Sequence, residues 1–202
     1  MKELVLATRN IHKKREIESI LSLEQIRILS LLDYPALGSI KEDGESFEEN
    51  AIKKGLSTAN FIHKLTLAED SGLEVEALNW KPGIYSARFA GPEQDDRANI
   101  EKLLGLLKDI PWERRKARFR CVLALCAPKK VLEVVEGVCE GMITFAPQGK
   151  FGFGYDPVFF LPEYQKTFAE LAPQVKNKIS HRARAIEKIK GRIVQFMQSL
   201  DV

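Results

Sequence analysis

The sequence predicts an α/β protein, because apolar strands alternate with amphipathic helices along its first third. Two apolar runs, ELVLA at 3–7 and IRILSLL at 26–32, have the composition of strands, and each is followed by a stretch with helical spacing. A third run, LTLAED at 65–70, follows the second of these helices. This strand–helix–strand–helix–strand order is typical of α/β folds.

Capping residues mark where the first two helices begin. Asn10 precedes isoleucines and a leucine at helical spacing, and its short polar side chain suits an N-cap. Ser46 and Glu49 form an S-x-x-E capping box. We expect the helix that this box opens to end near residue 63.

The second half of the chain predicts one helix, a strand pair, a short strand and a final helix. The first helix lies at 95–108, and the β-rich runs at 116–126 and 131–139 are expected to pair antiparallel. The short strand is VFFL at 158–161, and the last helix begins near residue 176. The apolar face of this helix is made by Ile179, Ala183, Ile186, Ile193, Phe196 and Leu200.

The composition predicts one cytoplasmic domain over residues 1–202. Hydrophobic residues make up 45% of the chain, enough for a core, and no repeat or linker interrupts it. With 31 Lys and Arg against 28 Asp and Glu, the net charge of +3 gives no reason to expect nucleic acid or a membrane surface as partner. No apolar stretch is long enough to cross a bilayer, and the N-terminus lacks an apolar signal region.

The three cysteines indicate core positions in a reducing compartment. Cys121, Cys126 and Cys139 form no C-x-x-C pair and lie in apolar surroundings. They therefore suit packing better than metal binding.

Two adjacent acids follow the third strand. Glu69 and Asp70 come after LTLA and precede Ser71 and Gly72, so we expect the strand to end at this point. Carboxylates at a strand end can simply have reached water, or they can hold a metal ion or a water molecule there.

The turn ATRNIHKKRE at 7–16 is a candidate phosphate site. Thr8 and Asn10 carry short polar side chains, free N–H groups collect at the helix start, and Lys13 adds a charge one turn later. An ordinary N-cap with a solvated basic face explains the same residues, and the segment by itself leaves both interpretations open. The Walker A pattern is absent from the chain.

An acidic segment at 40–55 opens the second helix. Glu42 and Asp43 lie in the loop before the helix and are free to reach a site elsewhere. On local grounds Lys53 and Lys54 are predicted to be surface charges. The remaining acids suit the start of a helix, where they interact favourably with its dipole.

Two later segments have the residue types of a nucleotide site. FGFGYDP at 151–157 alternates glycine with aromatic residues, as a flat base would require, although a tight aromatic turn explains it equally well. KNKISHRARA at 176–185 places His181 and Arg182 off the apolar face, where with Lys176 they suit an anion or a carbonyl group. Together, phosphate donors, base contacts and Mg²⁺-binding carboxylates indicate a nucleoside triphosphate ligand.

The chain resembles the inosine triphosphate pyrophosphatase family, which hydrolyses ITP, dITP and XTP. The resemblance is carried, in the family's order, by ATRNIHK, ESFEENA, AEDSGLEVEAL, PGIYSARFAG, FGFGYDPVFF and KNKISHRARA. It implies a mixed central sheet flanked by helices, in two lobes with the active-site cleft between them. It also implies a homodimer and hydrolysis to the nucleoside monophosphate and pyrophosphate.

The resemblance also implies roles for individual residues. Glu42 and Asp70 match the positions that hold Mg²⁺, and Asp70 also matches the proposed proton acceptor. Positions matching substrate contacts are Thr8, Arg9, Asn10, Ile11, His12, Lys13, Lys54, Ser71, Phe153, Gly154, Tyr155, Asp156, Lys176, His181 and Arg182. Since Arg182 has only hydrogen-bond donors and His181 can donate from either ring nitrogen, this pair is predicted to read the 6-oxo group of the purine.

Two positions depart from the family pattern. Arg9 stands where a glycine is common, so it either crowds the turn or adds a phosphate contact. Glu69 stands where many members carry Asp, and strand alternation predicts that it faces away from Asp70. Two other functions stay open on sequence alone: a pyrophosphatase for other modified nucleotides, and a nucleotide-sensing module without turnover.

Overall fold

A computed structural model describes residues 2–23 and 26–199, which form five α-helices and eight strands. The helices are α1 (Ile11–Leu21), α2 (Phe47–Ile62), α3 (Asp96–Leu106), α4 (Pro173–Ile179) and α5 (His181–Ser199). The strands are β1 (Lys2–Leu6), β2 (Ile26–Ser30), β3 (Thr66–Val75), β4 (Lys81–Pro82), β5 (Lys116–Ala127), β6 (Lys130–Ile143), β7 (Phe159–Leu161) and β8 (Lys166–Thr167).

The strands form one mixed sheet, which confirms the predicted α/β class. Its order is β2-β1-β3-β5-β6-β7-β8, and β4 pairs with β3. Strand β1 is parallel to both β2 and β3, whereas β7 pairs antiparallel with β6 and with β8. Strands β5 and β6 are sheet neighbours joined by two residues, a connection short enough to join only antiparallel strands.

Strand β3 does not end at its two acids, so that prediction was wrong. The strand continues to Val75, and Glu69 and Asp70 lie in its interior, 4% and 5% exposed. Ser71 and Gly72 look like a turn in sequence, but the fully buried Leu73 resumes the strand.

The two acids lie beyond the end of the neighbouring strand instead. The parallel ladder between β1 and β3 covers only the pairs Val5–Thr66 and Leu6–Leu67, because β1 ends at Leu6. Strand β3 therefore extends past the carboxyl end of β1, and this extension carries the acids. Ligands of α/β proteins are commonly bound beyond the carboxyl ends of parallel strands.

The predicted last helix is two helices, which corrects the sequence interpretation. Helix α4 ends at Ile179, and Ser180, with φ −66° and ψ 162°, is extended before α5 begins. Ile179 packs on one core, whereas Ala185 and Ile186 pack in another. The helical spacing of apolar residues continues across Ser180 without marking a single helix, because α4 and α5 pack on different cores. Leu200 lies outside the described residues.

The chain divides into two compact units. The first comprises Met1–Asp70, Cys121–Gly137 and Arg182–Val202, and the second comprises Ser71–Arg120 and Val138–His181. The first has a core of leucines and isoleucines from β1, α1 and α5, and Cys121 belongs to it. The second has a core rich in phenylalanine, and Cys139 belongs to it.

All three cysteines are buried and form no disulfide, which confirms their interpretation as core residues. Within residues 2–23 and 26–199, none of the helices combines the length and the apolar character needed to cross a bilayer.

Candidate active site

The turn after β1 is capped as the sequence predicted. Asn10 is the N-cap of α1, and its Oδ1 accepts from the backbone N–H groups of His12 (2.9 Å) and Lys13 (3.1 Å). The Asn10 N–H donates to Thr8 Oγ1 at 3.1 Å. The cap therefore binds two of the backbone N–H groups that were predicted to bind phosphate. Ile11, next to them, is 38% exposed.

Arg9 is held by the loop that follows β2. Its Nη1 donates to the Leu31 carbonyl at 3.1 Å, and its Nη2 donates to the Leu37 carbonyl. The guanidinium is therefore bound by two carbonyl groups of the protein. The substrate contact predicted for Arg9 stays a prediction.

Two carboxylates of the first unit converge on the Lys54 ammonium. The Lys54 ammonium lies 2.9 Å from Glu42 Oε1 and 3.4 Å from Asp70 Oδ1. Lys54 is 7% exposed on the sheet side of α2, so the prediction of a surface charge was wrong, whereas Lys53 is half-exposed and pairs with Asp43. Helical spacing placed Lys54 on the buried face together with Ala51 and Gly55.

Asp70 has the environment expected of a reactive carboxyl group. Burial raises the pKa of Asp70 above its ordinary value, Lys54 and Lys13 oppose the rise, and Glu42 adds to it. Its Oδ2 is buried and accepts no hydrogen bond of normal geometry within the described part of the chain, although the nearby Asn50 amide helps to lower the pKa of Asp70. An acid held this way is available to accept a proton or to bind a cation.

The pair Glu42 and Asp70 fits a magnesium ion that is bound together with substrate phosphates. Both carboxylates already converge on one cation, the Lys54 ammonium, and Asp70 Oδ2 offers an unused oxygen. Among the described residues no group of three or more His, Cys, Asp and Glu side chains could hold a metal by itself. Magnesium needs only one or two carboxylates when phosphates complete its shell.

Glu69 points to different partners, as strand alternation predicts. Its Oε1 lies 3.1 Å from the Lys13 ammonium, and both carboxylate oxygens accept from Arg182 at 2.7 Å. Arg182 also donates to Glu16 on α1. We call Lys13, Glu69, Arg182 and Glu16 the buried ion-pair chain.

The charges in this chain hold one another ionised. Burial is the largest single influence and lowers the pKa of Lys13 and of Arg182. The neighbouring carboxylates together raise the net pKa of both: Glu69 acts on each cation, Asp70 also acts on Lys13, and Glu16 also acts on Arg182. The guanidinium of Arg182 is enclosed, with a side chain 1% exposed, whereas the side chain of Lys13 is 20% exposed. Lys13, at 20%, and Glu16, at 15%, are the more exposed members of the buried ion-pair chain.

The loop FGFGYDP of the second unit is folded around Asp156. Gly152 and Gly154 have φ of +77° and +60°, and a Cβ on Gly152 would lie 1.9 Å from Asp156 Oδ2. Asp156 is 2% exposed and accepts from the Phe153 N–H (2.9 Å) and from the Lys176 ammonium. Asp156 thus shapes the loop from within, which requires glycine at 152.

Aromatic rings connect the predicted base-side residues of this unit. The Lys176 ammonium lies 5.0 Å from the centroid of Phe153 and 5.5 Å from that of Phe168. His181 stacks on Phe119, with ring centroids 4.6 Å apart and an interplanar angle of 13°. The structure therefore brings Phe153, Asp156 and Lys176 together. Ser71, half-buried in β3, is in the same unit.

Sequence analysis missed the residues that hold this loop in place. The Tyr155 hydroxyl donates to the Ser86 carbonyl at 2.8 Å, and Ser86 Oγ accepts from the Leu73 N–H at 2.9 Å. Asp96 accepts from the Gly154 N–H at 2.7 Å. Burial raises the pKa of Tyr155 and Asp96 adds to the rise, so the phenol stays a donor. The motif PGIYSARFAG, which contains Ser86, was the available signal.

Known proteins match this chain over most of its length. Residues 4–192 match the Ham1 family. A dITP/XTP pyrophosphatase of Halalkalibacterium halodurans is 50% identical over 189 residues, 94% of this chain and 97% of that protein. A dITP/XTP pyrophosphatase of Bacillus cereus is 47% identical over 198 residues, 97% of either chain.

Solved structures agree with the fold. The Ham1 protein of Staphylococcus aureus has a TM-score of 0.85 at 39% identity, covering 96% of this chain and 99% of its own. A HAM1 protein from Coxiella burnetii has a TM-score of 0.86 at 40% identity, covering 96% of this chain and all of its own, 100%.

Proposed function

This chain belongs to the Ham1 family, and from that premise we propose that it is a pyrophosphatase for non-standard purine nucleoside triphosphates. It hydrolyses dITP, XTP and ITP to the nucleoside monophosphate and pyrophosphate, and so removes them from the nucleotide pool. The observation that carries the proposal is the buried Asp70, with its unpartnered Oδ2, in a chain half identical to a dITP/XTP pyrophosphatase.

In the proposed site Glu42 and Asp70 hold Mg²⁺. When bound, the metal neutralises phosphate charge and makes a coordinated water more acidic. Support comes from the convergence of both carboxylates on the Lys54 ammonium. When substrate binds, the Lys54 ammonium leaves these carboxylates and contacts a phosphate oxygen.

Asp70 accepts the proton of the attacking water at Oδ2. Burial raises the pKa of Asp70 above its ordinary value, which makes the carboxylate a stronger base, and Lys54 opposes this rise. Lys13 contributes a second ammonium to the triphosphate, and Thr8 through His12 form the turn around it. Clustered carboxylates would only repel phosphate in a module that binds without turnover, which is why we prefer hydrolysis.

The base-side residues belong to the second unit. We propose Phe153 as a ring against the purine, and Gly154, Tyr155 and Asp156 as the loop that sets it in place. Lys176 lies against Phe153, and His181 is held flat on Phe119. Ser71 follows Asp70 directly in sequence and is proposed as a substrate contact.

Two further proposals, on the oligomeric state and on the cellular location, rest on the same family membership. We propose that the protein works as a homodimer, and that it acts in the cytoplasm, where nucleoside triphosphates are present. Sedimentation of the purified protein at micromolar concentration tests the dimer.

A pyrophosphate-release assay tests the function. ITP, XTP, dITP, ATP and GTP are compared with and without Mg²⁺. ITP, XTP and dITP should release pyrophosphate far faster than ATP and GTP, and only when Mg²⁺ is present. A panel of modified pyrimidine triphosphates separates the alternative substrate class. Tight binding of ITP with no pyrophosphate released would refute the enzyme and favour a sensing module.

A further inference from the structure

Asn50 is a buried amide on the face of α2 that meets the two proposed metal-binding carboxylates. It is 1% exposed and lies one helical turn before Lys54, so the two side chains share a face of the helix. The Lys54 ammonium lies 2.9 Å from Glu42 Oε1 and 3.4 Å from Asp70 Oδ1. The face of α2 that carries Lys54 to both carboxylates therefore also carries Asn50.

The amide oxygen of Asn50 holds the loop that carries Glu42. Asn50 Oδ1 accepts from the N–H of Gly44, two residues after Glu42, at 2.9 Å. A Cβ on Gly44 would lie 2.8 Å from the same oxygen, so the loop lies directly against the amide. The residues on either side of Gly44 are also bound to α2, but through exposed contacts. Asn50 therefore anchors this loop from the inside.

The amide nitrogen of Asn50 faces the Asp70 carboxylate. Burial is the largest influence on the pKa of Asp70 and raises it, whereas a hydrogen bond from the Asn50 amide acts in the opposite direction. Asn50 Nδ2 and Asp70 Oδ2 are both buried, and within the described residues neither makes a hydrogen bond of normal geometry. A buried donor left in this state is costly, and a leucine would fill the same space without that cost.

We propose that Asn50 is a positioning residue that holds Glu42 and Asp70 together as a pair of magnesium ligands. The inference rests on the proposed function, in which these two carboxylates bind the metal. Oδ1 fixes the loop of Glu42, and Nδ2 donates to Asp70 in a contact that tightens when the site is occupied. Carboxylates that bind a metal are commonly oriented by hydrogen bonds of this kind.

The first measurement is a calorimetric titration of magnesium chloride into protein saturated with an ITP analogue that carries an imido bridge between its α and β phosphates. The analogue releases no pyrophosphate, so the readout does not depend on turnover. Asn50→Leu keeps the approximate size of the side chain and removes both polar groups. It should weaken Mg²⁺ binding roughly tenfold to a hundredfold, the usual loss when a group that orients metal ligands is removed.

Asn60→Leu is the matched control on the same helix. Asn60 lies ten residues further along α2, about 15 Å away, and its Oδ1 also accepts a backbone N–H, that of Lys129. Its removal breaks a hydrogen bond of the same type at a distance from the carboxylates. Asn60→Leu should therefore bind Mg²⁺ as the wild type does.

The second measurement is steady-state kinetics with ITP at saturating magnesium chloride. Because Asn50 acts through the carboxylates, Asn50→Leu should lower kcat roughly tenfold or more and leave KM near that of the wild type. A raised KM with unchanged kcat would make Asn50 a substrate contact and overturn the inference. Unchanged Mg²⁺ affinity in a folded Asn50→Leu would also overturn it, whether or not stability or kcat falls.

Gly44→Ala tests the same contact from the side of the loop. The new Cβ would lie 2.8 Å from Asn50 Oδ1 and 2.9 Å from Glu49 Cβ, so the loop must shift. Mg²⁺ affinity should fall roughly tenfold, although residue 44 offers no side chain to the metal. Gly38→Ala, in the same connection between β2 and α2 with open space around it, is the control and should bind as the wild type does.

These variants keep the inference testable whatever Asn50→Leu does to folding. If a thermal melt shows that Asn50→Leu is unfolded, Gly44→Ala decides, and unchanged Mg²⁺ affinity in that variant overturns the inference. A wild type that binds the analogue and Mg²⁺, loses Mg²⁺ affinity in Asn50→Leu, and yet releases no pyrophosphate from ITP would refute the proposed hydrolysis and leave the role of Asn50 intact.

Discussion

At the scale of single residues, neighbours in sequence have separate tasks. Glu69 and Asp70 are adjacent in β3, yet one contacts Lys13 and Arg182 while the other contacts Lys54. The two carboxylates thus pair with different cations, although the charge of Lys13 also acts on Asp70. Glu69 is bound in ion pairs, whereas Asp70 has one buried oxygen, Oδ2, that accepts no hydrogen bond of normal geometry from the described residues. We therefore assign the chemistry to Asp70.

Replacing Asp70 by Asn should abolish turnover without unfolding the protein. The amide keeps the shape but accepts no proton, and losing a general base costs ~10²–10⁴ in rate. Steady-state pyrophosphate release and a thermal melt are measured on the same preparation. The exposed Asp109→Asn is the matched control. Near-normal kcat in Asp70→Asn would end the assignment.

Replacing Tyr155 by Phe should lower stability. The phenol is buried and donates to the Ser86 carbonyl, so its removal leaves that carbonyl without a bond that Tyr155 supplied. The expected loss in the free energy of unfolding is about 1–3 kcal/mol, measured by urea titration. Tyr85→Phe, at an exposed position, should change it by less than about 0.5 kcal/mol. Equal effects in both variants would contradict the role given to this hydroxyl.

At the scale of elements, α2 carries Lys54 because it packs unusually close to the sheet. A Cβ built on Gly55 would lie 2.6 Å from Cys126 Sγ on β5 and 3.3 Å from Ala68 Cβ on β3. Only glycine allows this approach, and Lys54 is the neighbouring residue. The helix start is set by sequence, since Ser46 caps the Glu49 N–H at 3.1 Å.

Gly55→Ala should destabilise the protein although alanine is the better helix former. The overlap with Cys126 is expected to cost about 1–3 kcal/mol, which exceeds the propensity gain of about 1 kcal/mol. Gly105→Ala, in α3 with open space around it, is the control and should be neutral or stabilising. Adding Cys126→Ala should recover part of the loss. The stability of each variant is measured by its urea midpoint. An equal gain in stability from Gly55→Ala and Gly105→Ala would refute close packing of α2.

At the scale of the whole molecule, each compact unit has its own apolar core, and buried thiols lie in both. In the first unit, burial raises the pKa of Cys126 to about 11 and, with Glu69, raises that of Cys121 well above its ordinary value. These thiols stay protonated in the folded chain under conditions in which unfolded cysteine ionises. That residues 1–202 act as one domain, with a cleft between two lobes, stays a prediction.

Stability should therefore fall at alkaline pH. The folded pKa of Cys126 is raised, so its stabilising contribution is complete below the unfolded pKa near 9 and is lost as pH rises toward 11. Two pKa units correspond to about 2–3 kcal/mol in full, of which about 2 kcal/mol should be lost by pH 10.5. Urea unfolding at pH 8 and pH 10.5 measures it. Cys126→Ala should show a smaller drop than the wild type, and an identical drop in both would contradict the buried thiol.

The sequence by itself determined the α/β class, the starts of α1 and α2 and the family. Strand and helix periodicity and the caps at Asn10 and Ser46 depend on residues only a few positions apart, so a short stretch of chain is enough to predict them. The second half of the predicted capping box does not form, because the Glu49 carboxylate accepts from the Glu45 N–H instead. The motifs of the family are also local. They predict a catalytic role for Asp70, and that role stays a prediction.

The tertiary structure decided what local patterns could not. Leu73 and Val75 continue β3 because a core receives them, and Lys54 is buried because α2 lies close to β5. Ser180 breaks a continuous apolar pattern because the residues on its two sides pack on different cores. Arg182 meets Glu69 across a separation of 113 residues. A side chain's partner depends on the whole path of the chain, so its role becomes visible only when that path is known.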